Sequence, residues 1–150
     1  MYKAYIEIPK GDGRRRHMKY DKSGLIDLGP IKDVIPVNEG IMPVHYGFIK
    51  DTVNKEEDSE HEEELDVLVF SSRDLKPADE VLIKPIGLIK REDKDEKILA
   101  VEIDFCDHNS WSDIPLTEQK IIKDYFGYKS PIVEIVDEAE ALTLIKKSQI

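Results

Sequence analysis

Leu65-Asp66-Val67-Leu68-Val69-Phe70 is an apolar run of strand-forming residues with one carboxylate, Asp66, beside its start. His61, Glu62, Glu63 and Glu64 stand directly upstream. A lone Asp in an apolar strand is costly unless its charge is compensated. Two kinds of compensation are open. One is structural: a Lys, an Arg or a strand-end amide. The other is a metal ion, because carboxylates are the hard oxygen ligands that magnesium prefers.

Working outward, further strands are predicted at 81–89 and 98–104, with Pro77-Ala78-Asp79 as the turn before the first of them. Residues 90–97 are charged at every position and read as a solvated hairpin loop. If that loop stays extended, Asp93 and Asp95, at i and i+2, project from one side. Upstream, Pro43 to Ile49 is a compact aromatic strand. Between it and Leu65, residues 51–64 contain eight Asp or Glu and read as an exposed acidic insertion.

The N-terminal residues 2–8 read as a strand stopped by Pro9. Arg14-Arg15-Arg16-His17 is either a solvated loop or an anion clamp, since guanidinium is planar and always charged. Asp21-Lys22-Ser23-Gly24 is a hairpin turn into Leu25–Leu28, and residues 29–44, with three Pro and two Gly, are loop-rich. Beyond Pro115 the periodicity changes. Ile121, Ile122, Tyr125 and Phe126 form one helical face, and 131–136 is a short β-branched run. Asp137 then caps a last helix with the face Ala141, Leu142 and Ile145. His45 reads as a packing or hydrogen-bonding histidine, Cys106 as a small buried strand residue, and Trp111 as core or interface.

The bulk properties narrow the function. At 150 residues the chain reads as a single domain, 1–150, able to bury a proper core. With 40% hydrophobic and 36% charged residues it suits a soluble globular protein. No apolar run reaches membrane-spanning length, no signal-peptide core is evident, and the one Cys fits a reducing cytoplasm. A net charge of −10 argues against nucleic acid as a partner. An anionic small molecule remains possible if metals and convergent Lys and Arg reverse the local sign.

Seven collinear blocks resemble the soluble family I inorganic pyrophosphatases. They are Glu7-Ile8-Pro9, Asp21 to Ile26, Pro43 to Ile49, Leu65 to Val69, Pro85 to Lys90, Asp95 to Val101, and Tyr125 to Lys129. The resemblance implies an α+β, mainly β fold, a five-stranded barrel of the oligonucleotide-binding type with flanking helices. It implies an enzyme that hydrolyses pyrophosphate to two phosphates with Mg2+, in the cytoplasm, as a homo-oligomer that is hexameric in bacterial and archaeal members. Residue by residue, Glu7, Asp66, Asp93 and Asp95 match metal-binding carboxylates. Tyr46 matches a tyrosine near the nucleophile. Lys97, Tyr128 and Lys129 match substrate-binding residues, and Arg16 or His17 falls where the family has a lysine.

The departures fall on the chemistry. The signature Asp-Gly-Asp-Pro-hydrophobic-Asp-Val is here His61-Glu62-Glu63-Glu64-Leu65-Asp66-Val67. His61 and Glu63 become the substitute metal ligands, with Asp66 and Glu63 the catalytic carboxylates. A His ligand softens the site toward Mn2+, Co2+ or Zn2+. Met42 stands for an expected tyrosine, and Lys32 is the nearest basic residue to a missing arginine. Two further readings follow: a catalytically impaired phosphate- or metal-binding regulator, or a phosphohydrolase of another diphosphate.

Overall fold

A computed structural model describes residues 2–55 and 63–150. Its strands are β1 (Tyr2–Ile8), β2 (Arg14–Met18), β3 (Leu25–Pro30), β4 (His45–Ile49), β5 (Asp66–Phe70), β6 (Glu80–Arg91), β7 (Lys97–Glu102) and β8 (Ile132–Asp137). The helices are α1 (Leu116–Phe126) and α2 (Glu138–Ser148).

The main sheet runs β1-β4-β5-β7-β6, and β6 pairs back with β1, so five strands close a barrel. β8 extends it along β6. All pairs are antiparallel except β5 and β7, whose parallel register places Asp66 opposite Lys97 and Phe70 opposite Val101. The predicted fold class is the one found.

Both faces of β5 are covered, which explains its unbroken apolar run. Val67 and Val69 join a cluster with Ile98, Ala100, Ala141, Leu144 and Ile145, capped by α2. Leu68 and Phe70 join Leu99, Val101, Ile122, Tyr125 and Phe126 under α1. Gly47 on β4 is dictated by backbone crowding. A Cβ there would lie 1.8 Å from the Tyr5 carbonyl oxygen of the adjoining strand.

Several expectations change. Arg14–His17 is not a loop but lies in the strand β2, paired with β3. Residues 90–97 are the hairpin expected, with Glu92, Asp93 and Lys94 exposed at its tip, but its ends are not solvated: β6 extends to Arg91, β7 begins at Lys97, and both residues are buried. Ile121 points outward on α1 and Leu142 is only half-buried on α2, where Leu144 packs instead. Cys106 is half-buried in a loop beyond β7 rather than in a strand. The bland reading of His45 holds: it is buried, its Nδ1 accepts from the Lys10 amide at 3.0 Å, and its Nε2 lies 3.2 Å from the Arg73 carbonyl. Asp137 caps α2, accepting from the Glu140 amide at 3.3 Å.

Candidate active site

Asp66 and Lys97 open the parallel pair β5 and β7, so strand register alone sets them side by side. Lys97 Nζ donates to Asp66 Oδ2 at 2.6 Å, to Tyr46 Oη at 3.0 Å and to Asp95 Oδ2 at 3.1 Å. The lysine is only 4% exposed. Burial pulls its pKa down, but Asp66 and Asp95 more than reverse this, so the ammonium is held above its ordinary value and stays charged. Asp95 is pushed up by burial, with Lys97 opposing. Burial and the nearby carboxylate of Asp66 push the Tyr46 hydroxyl well above its usual value, so Tyr46 is a neutral phenol at any physiological pH.

Glu7 approaches from β1. It is the extra residue of a bulge between the Ile6–Gly47 and Ile8–Tyr46 pairs, a device that re-aims a side chain. The carboxylate is 3% exposed and accepts from the Met18 amide at 2.8 Å. It has no ion pair among the described residues. Burial and the negative field of Asp66 push it up to about 7, although the Met18 amide opposes this.

These groups stand beside a cavity of 310 Å³. Its lining is cationic: Arg15, Arg16, Arg91, Lys97 and Lys129, with His17 and a single carboxylate, Asp95. Arg16 is paired with Asp12. Arg15 and Lys129 make no hydrogen bond or ion pair among the described residues. Arg15 occupies a bulge of its own, between the Arg14–Pro30 and Arg16–Asp27 pairs. The rest of the wall is apolar and includes Met42, Ile31 and Phe126. Burial raises Tyr125 to about 12 there, against the opposing charges of Arg15 and Lys97.

Glu7, Asp66, Tyr46, Asp95 and Lys97 come together, and Arg16 and Lys129 line the adjoining cavity. Asp93 lies on the turn outside, 3.3 Å from Arg91 Nη2. Tyr128 is exposed, and neither it nor Lys32 belongs to the cavity wall. Glu63 is half-buried, with its carbonyl accepting from the Asn54 amide at 2.7 Å. Glu64 is tied to Lys22 at 2.6 Å. His61 lies outside the described residues. Sequence reasoning missed Arg15 and Arg91. The signal for Arg15 was its place in the basic run, but nothing local marks which of three arginines faces inward.

The sequence profile of the inorganic pyrophosphatase family matches residues 4–149. This chain belongs to the inorganic pyrophosphatase family. An inorganic pyrophosphatase of Nanoarchaeum equitans is 32% identical over 163 residues, covering 97% of this chain and 94% of that protein. One of Thermoplasma volcanium is 33% identical over 131 residues, covering 82% and 72%. Among solved structures, the inorganic pyrophosphatase of Ehrlichia chaffeensis superposes with a TM-score of 0.82 at 22% identity, covering 97% of this chain and 91% of that one. That of Coxiella burnetii gives 0.81 at 22%, with the same coverage. At this identity the structural likeness speaks for the fold.

A pyrophosphatase of this family uses divalent metal, and the donors present divide into two groups. Glu7 and Asp66 fit. They are hard oxygen donors, and Glu7 is a buried carboxylate with no cation of its own among the described residues. The Asp93–Asp95 turn fits less well than Asp66, which is ion-paired to Lys97: Arg91 reaches both turn carboxylates, and Asp95 is bonded to Lys97 as well. Among the described residues no group of three His, Cys, Asp or Glu side chains is arranged to hold a metal ion.

Proposed function

We propose that this protein hydrolyses inorganic pyrophosphate to two phosphates with a divalent cation, Mg2+ being the expected one, held by Glu7 and Asp66. The observation that carries this reading is the meeting of carboxylates and cations at Lys97 and Tyr46: Asp66, close to buried Glu7, bonds Lys97, and the same Lys97 and Tyr46 line a cation-rich cavity. A bound divalent cation would acidify the attacking water and offset charge on the leaving phosphate.

The chain's own residues then do the positioning. Lys97, tied to Asp66 and Asp95, keeps its charge at the boundary between metal side and phosphate side. Arg15, Arg16 and Lys129 bind phosphate oxygens, guanidinium by paired donors and ammonium as a point charge. Tyr46 stays protonated and serves as a hydrogen-bond donor rather than a base. Its place is fixed by Lys97 and by the Phe126 ring, whose centroid lies 5.7 Å away. Tyr128 and Glu63 are proposed to act at the rim, with a homohexamer in the cytoplasm as the working assembly. No helix among the described residues is long and apolar enough to cross a membrane.

The test is phosphate release from pyrophosphate with Mg2+, then Mn2+, Co2+ and Zn2+, using the wild type and Asp66→Ala. Release that requires Mg2+ and is lost in the variant supports the reading. A preference for Mn2+, Co2+ or Zn2+ would assign the edited signature an altered metal. No release with any metal would overturn it.

A further inference from the structure

Arg91 ends β6 on the cavity wall, and its side chain is 8% exposed. Its Nη2 lies 3.3 Å from Asp93 Oδ2 and its Nη1 3.7 Å from Asp95 Oδ2. Nη1 also donates to the Asp95 carbonyl at 3.3 Å. The turn is wrapped around this guanidinium. Lys94 adopts φ 65°, its amide bonds back to the Arg91 carbonyl at 3.2 Å, and the Asp95 amide bonds to Asp93 Oδ1 at 3.0 Å. The fork is turned to the two aspartates at the expense of Nε, a buried donor with no acceptor among the described residues.

Arginine does not lose its proton in proteins, so no accessible pH vacates this position. Asp95 is shared with Lys97, which is charged as well. A divalent ion placed between Asp93 and Asp95 would have to expel a buried guanidinium and leave it unpaired, the costly way to break a buried ion pair.

We infer that Arg91 is a resident cation that neutralises the Asp93–Asp95 turn in place of a divalent metal, so that this chain holds metal only on the Glu7–Asp66 side and offers a fixed positive charge to the phosphates on the other. The inference rests on the pyrophosphatase reading, but its test does not depend on turnover.

The experiment counts Mn2+ bound per chain, by electron paramagnetic resonance titration without substrate, for the wild type, Arg91→Met and Arg91→Lys. Arg91→Met is expected to bind one more Mn2+ than the wild type, because Asp93 is released and Asp95 keeps only Lys97. Arg91→Lys, which keeps the charge, is expected to match the wild type. An equal count in all three overturns the inference. Should Arg91→Met fail to fold, Asp93→Asn decides. Its Mn2+ count and affinity stay within twofold of wild type if Asp93 serves Arg91, whereas a lost site or a tenfold weaker one overturns the inference. Absent phosphate release with an intact Mn2+ difference would sink the catalytic reading and leave Arg91's role standing.

Discussion

The two ends of the parallel pair β5 and β7 both carry buried charge, and they differ in how it is settled. At the C-terminal ends, Glu102 is buried and fully answered. Ser71 Oγ donates to it at 2.7 Å, Arg73 Nε donates at 3.1 Å, and Arg73 Nη2 donates to its second oxygen. The Arg73 guanidinium also lies 4.4 Å over the Phe105 ring. At the N-terminal ends the accounts do not close. Lys97 serves Asp66, Asp95 and Tyr46 at once, and among the described residues Glu7 is buried beside Asp66 without an ion pair and Arg91 Nε has no acceptor. A satisfied network rigidifies, whereas an unsatisfied one waits for a ligand or a metal to complete it. The same strands thus provide a strut at one end and a site at the other.

The largest effect that would break or sharpen this contrast is expected from Lys97→Met. It should lower kcat/KM for pyrophosphate by a factor of about 100 or more, as removal of a well-placed charge at a reacting centre does. It should also cost about 3 kcal/mol of stability by leaving Asp66 without its partner, at the low end for a buried pair because each carboxylate is about a quarter exposed. Chemical denaturation in chelator, followed by recovery on adding Mg2+, would measure both the loss and its repair. An active, stable Lys97→Met enzyme would erase the distinction between the ends.

Next in size is a pH effect of Glu7. Its folded pKa is raised to about 7 from an ordinary 4.5, so between these values the folded state holds a proton that the unfolded state has released. The stability contribution is full below about pH 4.5 and is lost as pH rises through about 7, by about 3 kcal/mol at most. Urea midpoints of the metal-free protein should fall over that window, and Glu7→Gln should flatten the slope. A rising midpoint would mean that Glu7 already has a cation.

The smallest of the three belongs to the strut. Arg73→Ala leaves Glu102 with Ser71 alone and is expected to lower the urea midpoint, since a buried carboxylate loses its charged donors. The KM for pyrophosphate should stay within twofold. A tenfold change in KM would show that the far end also reports to the site.

The sequence signals were uneven in kind. Apolar runs and turn residues mark strands well when both faces are buried, and β5 and β7 were plain for that reason. Charge was the misleading signal at 90–97. Eight charged residues read as solvent-facing, yet Arg91 and Lys97 sit at strand ends whose alternation carries them inward, where Asp66 and Asp95 meet them. In the run Arg14–Arg16, composition supplied a clamp without saying which arginine serves. A bulge set Arg15 apart, with no ion pair among the described residues, while Asp27 and Asp12 engaged its neighbours. Each helix face was read correctly except at one residue, Ile121 on α1 and Leu142 on α2, because a face is chosen by what packs against it.

What the sequence by itself determined was the order and identity of the elements other than β2, the family, and the residue types of the site. These follow from local periodicity and from collinear blocks, which require no knowledge of distant neighbours. Only the tertiary structure decided which charges meet. The register of a parallel pair set Lys97 beside Asp66, a bulge turned Glu7 toward them, and the turn after β6 folded Asp93 and Asp95 around Arg91. Electrostatic interaction depends on separation in space and on burial, and neither can be read along the chain.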